Sequence, residues 1–425
     1  MRVRLMQLID FWIGVPLCAV LSIWHCLIRA LLPRSPASPK KILFIELSEM
    51  GSAILAHSAL VKATQLAAGE PPHFLIFRRN RESCEVLDLL PPDHILVIDD
   101  RSLPVFAWSA LRTLWKLRAI GFDTVLDLEL FSRFTALLTY LSGARNRVGF
   151  DRHTGEGLFR GNFLTHRVNY NPHQHMALNF LALACALEAP ADQIPLLKRD
   201  VRPLLLEPPQ HRSSQSEQQR VLELVQRRQP RIDRDSILLI FNPDPGEAIP
   251  IRGWPEQRFA EVASALLGEY PGSVALVVGV ARSAPFAERF LQRVGNERCA
   301  DLTGATTTLD ELLTLFEMAK LLVTNDSGPA HLASLTRLPS VVLFGPETPA
   351  LYGPLGGRSI NLFSAYSCSP CLSAANHRHT WCTDSRCLHA IAVEQVLSAA
   401  RQALAWAEVE AARADRLAGP RPDVA

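Results

Sequence analysis

A chain of 425 residues with 48% apolar and 20% charged side chains is long enough for two or three domains and can fill a large core. Its formal charge of only +2 excludes a protein built mainly to hold nucleic acid by charge. Cys18, Cys26, Cys84, Cys185 and Cys299 are scattered through apolar runs like small buried hydrophobes. With no cleavable secretory signal, a reducing cytosolic setting is expected.

Residues 1–40 stand apart as a membrane-associating segment and linker. MRVR is basic, and residues 11–32 are mostly apolar, interrupted by Gly14, Pro16, Ser22, His25 and Arg29. A bilayer span needs about 20 apolar residues. Asp10 and Arg29 narrow the clean stretch, and basic residues on both sides give no orientation. A monotopic helix or hairpin in the cytoplasmic leaflet fits this pattern best. A true span and a helix docked on the protein body are the alternatives. The proline-rich piece 33–39 reads as a linker.

From Lys41 the pattern turns α/β. KILFIEL (41–47) is a buried strand, Ser48 to Ser52 a turn, and Ala53 to Leu66 a helix. FLIF (74–77), HILVID (94–99) and TVLDLEL (124–130) are further strands, with helices near 80–90, 104–120 and 132–142. Short strands are expected at Arg147–Phe150 and Phe163–Val168, and a helix at His175–Glu188. Strands alternating with helices of this length predict a doubly wound parallel sheet over 41–205. Residues 206–235, rich in Pro, Gln, Arg and Ser, read as an interdomain linker. A second such domain is predicted over 236–390, a helix over 391–417, and a tail from 418 to 425.

The run 320–346, KLLVTNDSGPAHLASLTRLPSVVLFGP, reads as strand, polar turn, helix and strand. Ligands of parallel sheets bind beyond the carboxyl ends of the strands. Free N–H groups and a helix start there suit a phosphate. Asp326 and Ser327 also fit plain helix capping. Cys368, Cys371, Cys382 and Cys387 have the count and spacing of a four-thiolate zinc site, with His377 and His379 as alternate ligands. Disulfides or uncombined thiols are the other readings.

Four places resemble glycosyltransferase family 9, which contains the bacterial lipopolysaccharide heptosyltransferases. KILFIELSEMGSAILAHSAL is similar to the family's opening strand and turn. Arg252-Gly253-Trp254-Pro255 resembles its K-x-W-P, and Asp326 to His331 its D-[ST]-G-x-x-H. LFGPETPALYGP (343–354) is the fourth. The resemblance covers about residues 41–400 and implies the GT-B architecture: two doubly wound Rossmann-like domains facing a cleft, the first for the acceptor and the second for the nucleotide donor. In such proteins the last helix returns toward the first domain.

The implied activity is inverting, metal-independent transfer of a heptose or hexose from a nucleotide sugar to a lipid-linked saccharide. That places the protein at the cytoplasmic face of the bacterial inner membrane, in cell-surface polysaccharide or lipopolysaccharide assembly. No nucleic acid partner and no catalytic cofactor are implied. The donor diphosphate would be held by Arg252 in place of the family's lysine, with Asn242, Asp326, Ser327, Gly328 and His331. The family's base, an aspartate directly after the turn glycine, is replaced here by Ser52. A serine is no base at neutral pH without help. Glu49 in the same turn is the first candidate, and Glu46, Glu129 and His57 are others. The departure also admits an inactive nucleotide-sugar or glycan-binding scaffold. After VALVVG, Val280-Ala281-Arg282-Ser283 lacks the family's acidic, ribose-binding residue, so a UDP- or GDP-linked hexose is as open as ADP-heptose.

Overall fold

The structure, a computed structural model, describes residues 3–31, 35–151, 158–190, 193, 197–246, 249–373, 378 and 380–418. It divides into two units: Met1–Glu207 with Leu372–Thr380, and Pro208–Cys371 with Trp381–Ala425. The N-terminal unit is built on β1 (Ile42–Ile45), β2 (His73–Phe77), β3 (Ile95–Ile98), β4 (Thr124–Asp127), β5 (Asn146–Asp151) and β6 (His166–Asn169). Their order is β3-β2-β1-β4-β5-β6, and every pair is parallel. The C-terminal unit repeats the plan with β7 (Ile237–Asn242), β8 (Ser273–Val277), β9 (Cys299–Asp301), β10 (Leu321–Asn325), β11 (Ser340–Phe344) and β12 (Ser359–Phe363). The order there is β12-β11-β10-β7-β8-β9, again all parallel.

Runs such as ILFI and LLVTN are buried along their whole length because helices cover both faces of each sheet. Each sheet reverses its winding between two central strands, β1 and β4 in one, β7 and β10 in the other. The carboxyl ends of those strands diverge into a crevice there. In-register pairs Ile45–Asp127 and Asn242–Thr324 bring Glu46 beside Leu128, and Pro243 beside Asn325.

Several expected boundaries shift. The helix near 80–90 is two short turns, Arg78–Asn80 and Glu82–Glu85. The expected linker 206–235 belongs to the C-terminal unit from Pro208 onward. Within it the Gln215–Gln226 helix closes with a full capping box. His211 bridges Glu317 and Asp310, at 2.9 Å each. The helix expected to return to the first domain is Val393–Ala418, and its first turns are built into the C-terminal core. Val396, Ala400, Ala403 and Leu404 are buried there with Phe259 and Leu266. Alanines and β-branched residues on one helix face suit that close packing.

At the N-terminus, helices Val3–Trp12 and Gly14–Leu31 run on almost without a break. Ile13 N donates to Ile9 O at 3.0 Å and Leu17 N to Ile13 O at 3.2 Å. Only a narrow stripe is buried, Gly14, Cys18 and Ser22, one turn apart. It lies on the Arg133–Leu141 helix. A β-carbon at Gly14 would stand 2.8 Å from Arg133 Cβ, so only glycine permits the approach. Ser22 Oγ accepts from Asn162 N at 2.9 Å. Asp10 Oδ1 accepts from Arg133 N and Phe134 N at 2.8 and 3.0 Å. Asp10 thus satisfies the first amides of a distant helix and pairs with the buried Arg133 guanidinium at 3.1 Å. The Asp10→Ala change strands a buried cation and is expected to cost about 3 kcal/mol of N-terminal-unit stability. Urea denaturation measures the loss, and limited proteolysis reports release of residues 3–31.

Candidate functional site

In the C-terminal unit the site is assembled around Asn325, the last residue of β10. Its amide Nδ2 donates to Pro243 O at 3.0 Å, and its Oδ1 accepts from Trp254 N at 2.8 Å. The end of β7, the end of β10 and the turn carrying Arg252 are thereby tied together. Trp254 is itself buried, with its indole N–H on Ile391 O at 3.0 Å. This places Arg252, in the Pro250–Arg252 turn, against Asp326, with NH1 donating to Oδ2 at 3.3 Å. Arg252 Nε is buried and has no hydrogen-bond partner among the described residues. An arginine held by one edge with a second donor unspent is suited to a further oxyanion.

Burial pushes the Asp326 carboxyl up, and Arg252 pulls it back. A second acid, Glu347, follows Gly345-Pro346 at the end of β11. Burial raises it to about 8, the Asp326 charge adds to the rise, and Arg252 opposes it. At neutral pH Glu347 therefore holds its proton. The cluster of one cation and two acids is then close to neutral instead of negative, which admits an anion.

Asn242 does not offer its amide to the crevice as a first donor. Nδ2 donates to Val278 O at 2.9 Å, while Oδ1 accepts from Thr324 Oγ1 at 3.3 Å. It is a brace. Ser327 is extended and makes no side-chain cap; its hydroxyl donates to Asn325 O at 3.1 Å. Gly328 opens the short Gly328–Ala333 helix, on which His331 is buried. Beyond β8, where Val280 to Ser283 carries no acid, Asp244 from the end of β7 reaches across. Its Oδ2 accepts from Ser283 Oγ at 2.5 Å. An acid from one strand end thus stands beside the other, which has none of its own.

In the N-terminal unit four acids gather at the ends of β1 and β4. Glu46 and Glu129 are buried and hydrogen-bonded to each other. Glu129 Oε1 also accepts from Leu47 N at 3.1 Å and Ser48 Oγ at 3.2 Å. Burial and then the Glu129 charge hold Glu46 well above the usual carboxylate range. Asp127, raised by burial to about 6, is paired with Arg160, which also donates to Ser132 O at 2.8 Å. Glu49 is different. It caps nothing, accepts from Ser52 Oγ at 2.9 Å and is ion-paired with Arg378, whose guanidinium lies 5.4 Å from the Phe131 ring. Its side chain keeps about a third of its exposure, 34%. His57 is buried, and burial lowers its imidazole.

The expected zinc site is not supported. Among the described residues no group of three or more His, Cys, Asp or Glu is placed to hold a metal. Cys387 lies on the short Arg386–His389 helix and turns inward; a β-carbon at Gly345 would meet its sulfur at 3.0 Å. Cys368 and Cys382 are exposed, Cys371 is half-buried, and Cys382 donates to Asp384 Oδ1 at 3.5 Å. His377 and His379 lie outside the described residues. Asp244, Glu347, Arg160 and Arg378 were not singled out in the sequence. Only Glu347 carried a signal, as the one acid in the motif LFGPETPALYGP.

The profile of glycosyltransferase family 9 (heptosyltransferase) matches residues 111–382, well over half of the chain. The chain belongs to glycosyltransferase family 9. Among curated relatives it is 34% identical to lipopolysaccharide heptosyltransferase 2 of Escherichia coli over 122 residues, 28% of this chain and 34% of that protein. It is 28% identical to lipooligosaccharide heptosyltransferase 2 of Haemophilus influenzae over 198 residues, 45% of this chain and 53% of that protein. The chain thus spans a third to a half of these two relatives. Its fold matches a family 9 glycosyltransferase from Veillonella parvula with TM-score 0.65 at 20% identity, covering 86% of this chain and 97% of that one. The Escherichia coli ADP-heptose lipopolysaccharide heptosyltransferase II matches with TM-score 0.63 at 22% identity, covering 87% and 99%. The architecture is GT-B.

Glu347 gives the family 9 chain a testable pH dependence. Its carboxyl releases its proton near 4.5 when unfolded and near 8 when folded. Between these values only the fold holds the proton, so the stabilisation is full below the lower value and is lost as pH rises through the higher one. Urea denaturation of the C-terminal unit should show stability falling from pH 5 to 8. Glu347→Gln should flatten that slope.

Proposed function

We propose that this family 9 chain is an inverting glycosyltransferase that moves a heptose from a nucleotide diphosphate donor to a lipid-linked saccharide in lipopolysaccharide core assembly. The observation that carries the reading is Arg252: half-buried, braced by Asp326, with its buried Nε unspent at the crevice of the C-terminal sheet. It stands within the residues that match the family. In this reading Arg252 neutralises the leaving diphosphate as the glycosidic bond to it breaks. Amides at Ser327 and Gly328, with His331, complete the cradle, Asn242 braces it, and Asp244 takes the donor's ribose hydroxyls. Positive and N–H-donating groups thus do the work a divalent cation does elsewhere.

The acceptor hydroxyl is assigned to the N-terminal unit. Glu49 accepts its proton as the oxygen attacks the anomeric carbon from the face opposite the diphosphate, which inverts the configuration. Ser52 stands where the family has its base, and its hydroxyl orients Glu49. The Glu46–Glu129 pair is too deeply buried to meet a hydroxyl. The N-terminal helix suits attachment to the cytoplasmic face of a bacterial inner membrane. Residues 6–31 are long and apolar enough to cross one, and the exposed Trp12, Leu17, Ile23, Trp24 and Leu27 suit a helix lying in the interface.

A second reading, a nucleotide-sugar-binding scaffold without turnover, is favoured by one observation: Glu49 is engaged by Arg378, with a serine where the family has its base. Release of nucleoside diphosphate from a panel of nucleotide sugars, with lipid A saccharides as acceptors, separates the two. Turnover is expected with ADP-heptose. Nucleotide binding without turnover of any donor would establish the scaffold. Arg252→Ala should lower kcat/KM by roughly a hundredfold or more, and Glu49→Gln by about the same, while Glu46→Gln leaves turnover near that of the parent.

A further inference from the structure

The helix Leu103–Ile120 of the N-terminal unit carries an exposed face that the proposed reaction does not use. Its inner side is ordinary. Thr113 and Leu117 are buried, and Phe106 and Leu114 pack on the sheet's core. Its outer side is not. Trp108 is 70% exposed, Leu111 57% and Trp115 78%. At 100° per residue these three side chains fall in one stripe about 60° wide. Arg112 and Lys116 border the stripe on one side and Arg118 on the other. All three are exposed, and Arg112 and Lys116 form no ion pair among the described residues. Residues 101–120 contain no Asp or Glu. Two solvent-facing tryptophans on one helix are a costly arrangement for a surface that meets only water.

The helix adjoins the N-terminal segment. Met6 packs on the same core cluster as Phe106, Leu114 and Phe134, and the Phe106 and Phe134 rings are 5.0 Å apart. Phe134 N in turn donates to Asp10. The apolar outer face of residues 6–31 and the tryptophan stripe therefore belong to one side of the same sheet. Tryptophans in an apolar stripe bordered by lysine and arginine match the headgroup region of a bilayer bearing negative lipids. A second copy of the chain fits worse, since it would set basic borders against each other.

We propose that the outer face of Leu103–Ile120 is a membrane-contact surface that seats on an anionic leaflet. With the N-terminal helix it holds the N-terminal unit against the bilayer at two places. One helix leaves the unit free to rotate about its anchor. Two contacts fix its orientation, so that a saccharide on a membrane-embedded lipid is always offered from the same side. The proposal rests on the reading of a lipid-linked acceptor, but its first test does not.

The full chain, Trp108→Ser/Trp115→Ser and Arg112→Glu/Lys116→Glu are floated with vesicles of phosphatidylcholine alone or with phosphatidylglycerol added. Thermal unfolding confirms that both variants fold. The parent should partition more strongly to the anionic vesicles. The charge reversal should reduce that partitioning by about tenfold or more, at roughly 1 kcal/mol per basic residue. The tryptophan variant should lose part of the fluorescence quenching by lipids brominated near the headgroup. Variants that partition and quench like the parent, or a parent with no vesicle binding, would overturn the proposal. So would a variant whose assembly mass falls below the parent's, because the face would then be an interface between copies. In turnover assays both variants should slow with a vesicle-embedded acceptor and match the parent with a soluble saccharide. If the parent turns over neither acceptor, the transferase reading fails, and the vesicle measurements still decide the surface.

Discussion

One buried amide organises the C-terminal site. Asn325 is fully enclosed at the end of β10, and its side chain replaces two hydrogen bonds that the sheet can no longer supply. A parallel strand that stops leaves N–H and C=O groups pointing at a neighbour that has already turned away. Asn325 supplies an acceptor to Trp254 N and a donor to Pro243 O. The positions of Arg252, Asp326 and the Asn242 brace all follow from those two bonds. An apolar residue of similar size would strand both partners in a dry environment, each loss being worth about 1–3 kcal/mol. Backbone geometry thus fixes the turn that carries Arg252.

Both units face the same difficulty at their switch points, acids in a place with little water, and resolve it differently. In the C-terminal unit a guanidinium keeps Asp326 in its pair while the proton stays on Glu347. In the N-terminal unit burial and the Glu129 charge hold Glu46 above the usual carboxylate range, Arg160 engages Asp127, and Arg378 engages Glu49. The outcome is a division by accessibility. The carboxylates that brace the strand ends are sealed, and Glu49 remains within reach of solvent. That division leaves Glu49 as the acid of the four that solvent reaches most readily.

The alternation of strand and helix and the strand–turn–helix form of the Asp326–His331 segment were legible because they depend on local pattern. Buried parallel strands read as continuous apolar runs, and the turn chemistry sits within a few residues. What was not legible depends on residues far apart in the chain. Glu46 and Glu129 meet only because β1 pairs with β4. Asp244 reaches Ser283, beyond β8, only because β7 and β8 are neighbours. The cysteine spacing suggested a metal, and Cys387 lies within electrostatic range of Cys368, Cys371 and Cys382, but among the described residues no three ligands converge on one point.

The N-terminal segment shows the same limit in another form. Read as a line, Asp10, Gly14 and Ser22 interrupt an apolar stretch in which Cys18 is one more small hydrophobe, and they weaken the case for a membrane. Read as a helix, they are one stripe, and the stripe is what docks on the Arg133–Leu141 helix. The partner of Asp10 is 123 residues away, so nothing local could reveal its purpose. Once those residues are assigned to the inner face, the outer face is more apolar than the sequence average implied. A helix that docks through small and polar residues and shows tryptophan and leucine outward reverses the usual amphipathic order of a soluble surface helix. Such a reversal is favoured where the medium outside is itself apolar, and it is the physical ground on which the membrane proposal stands.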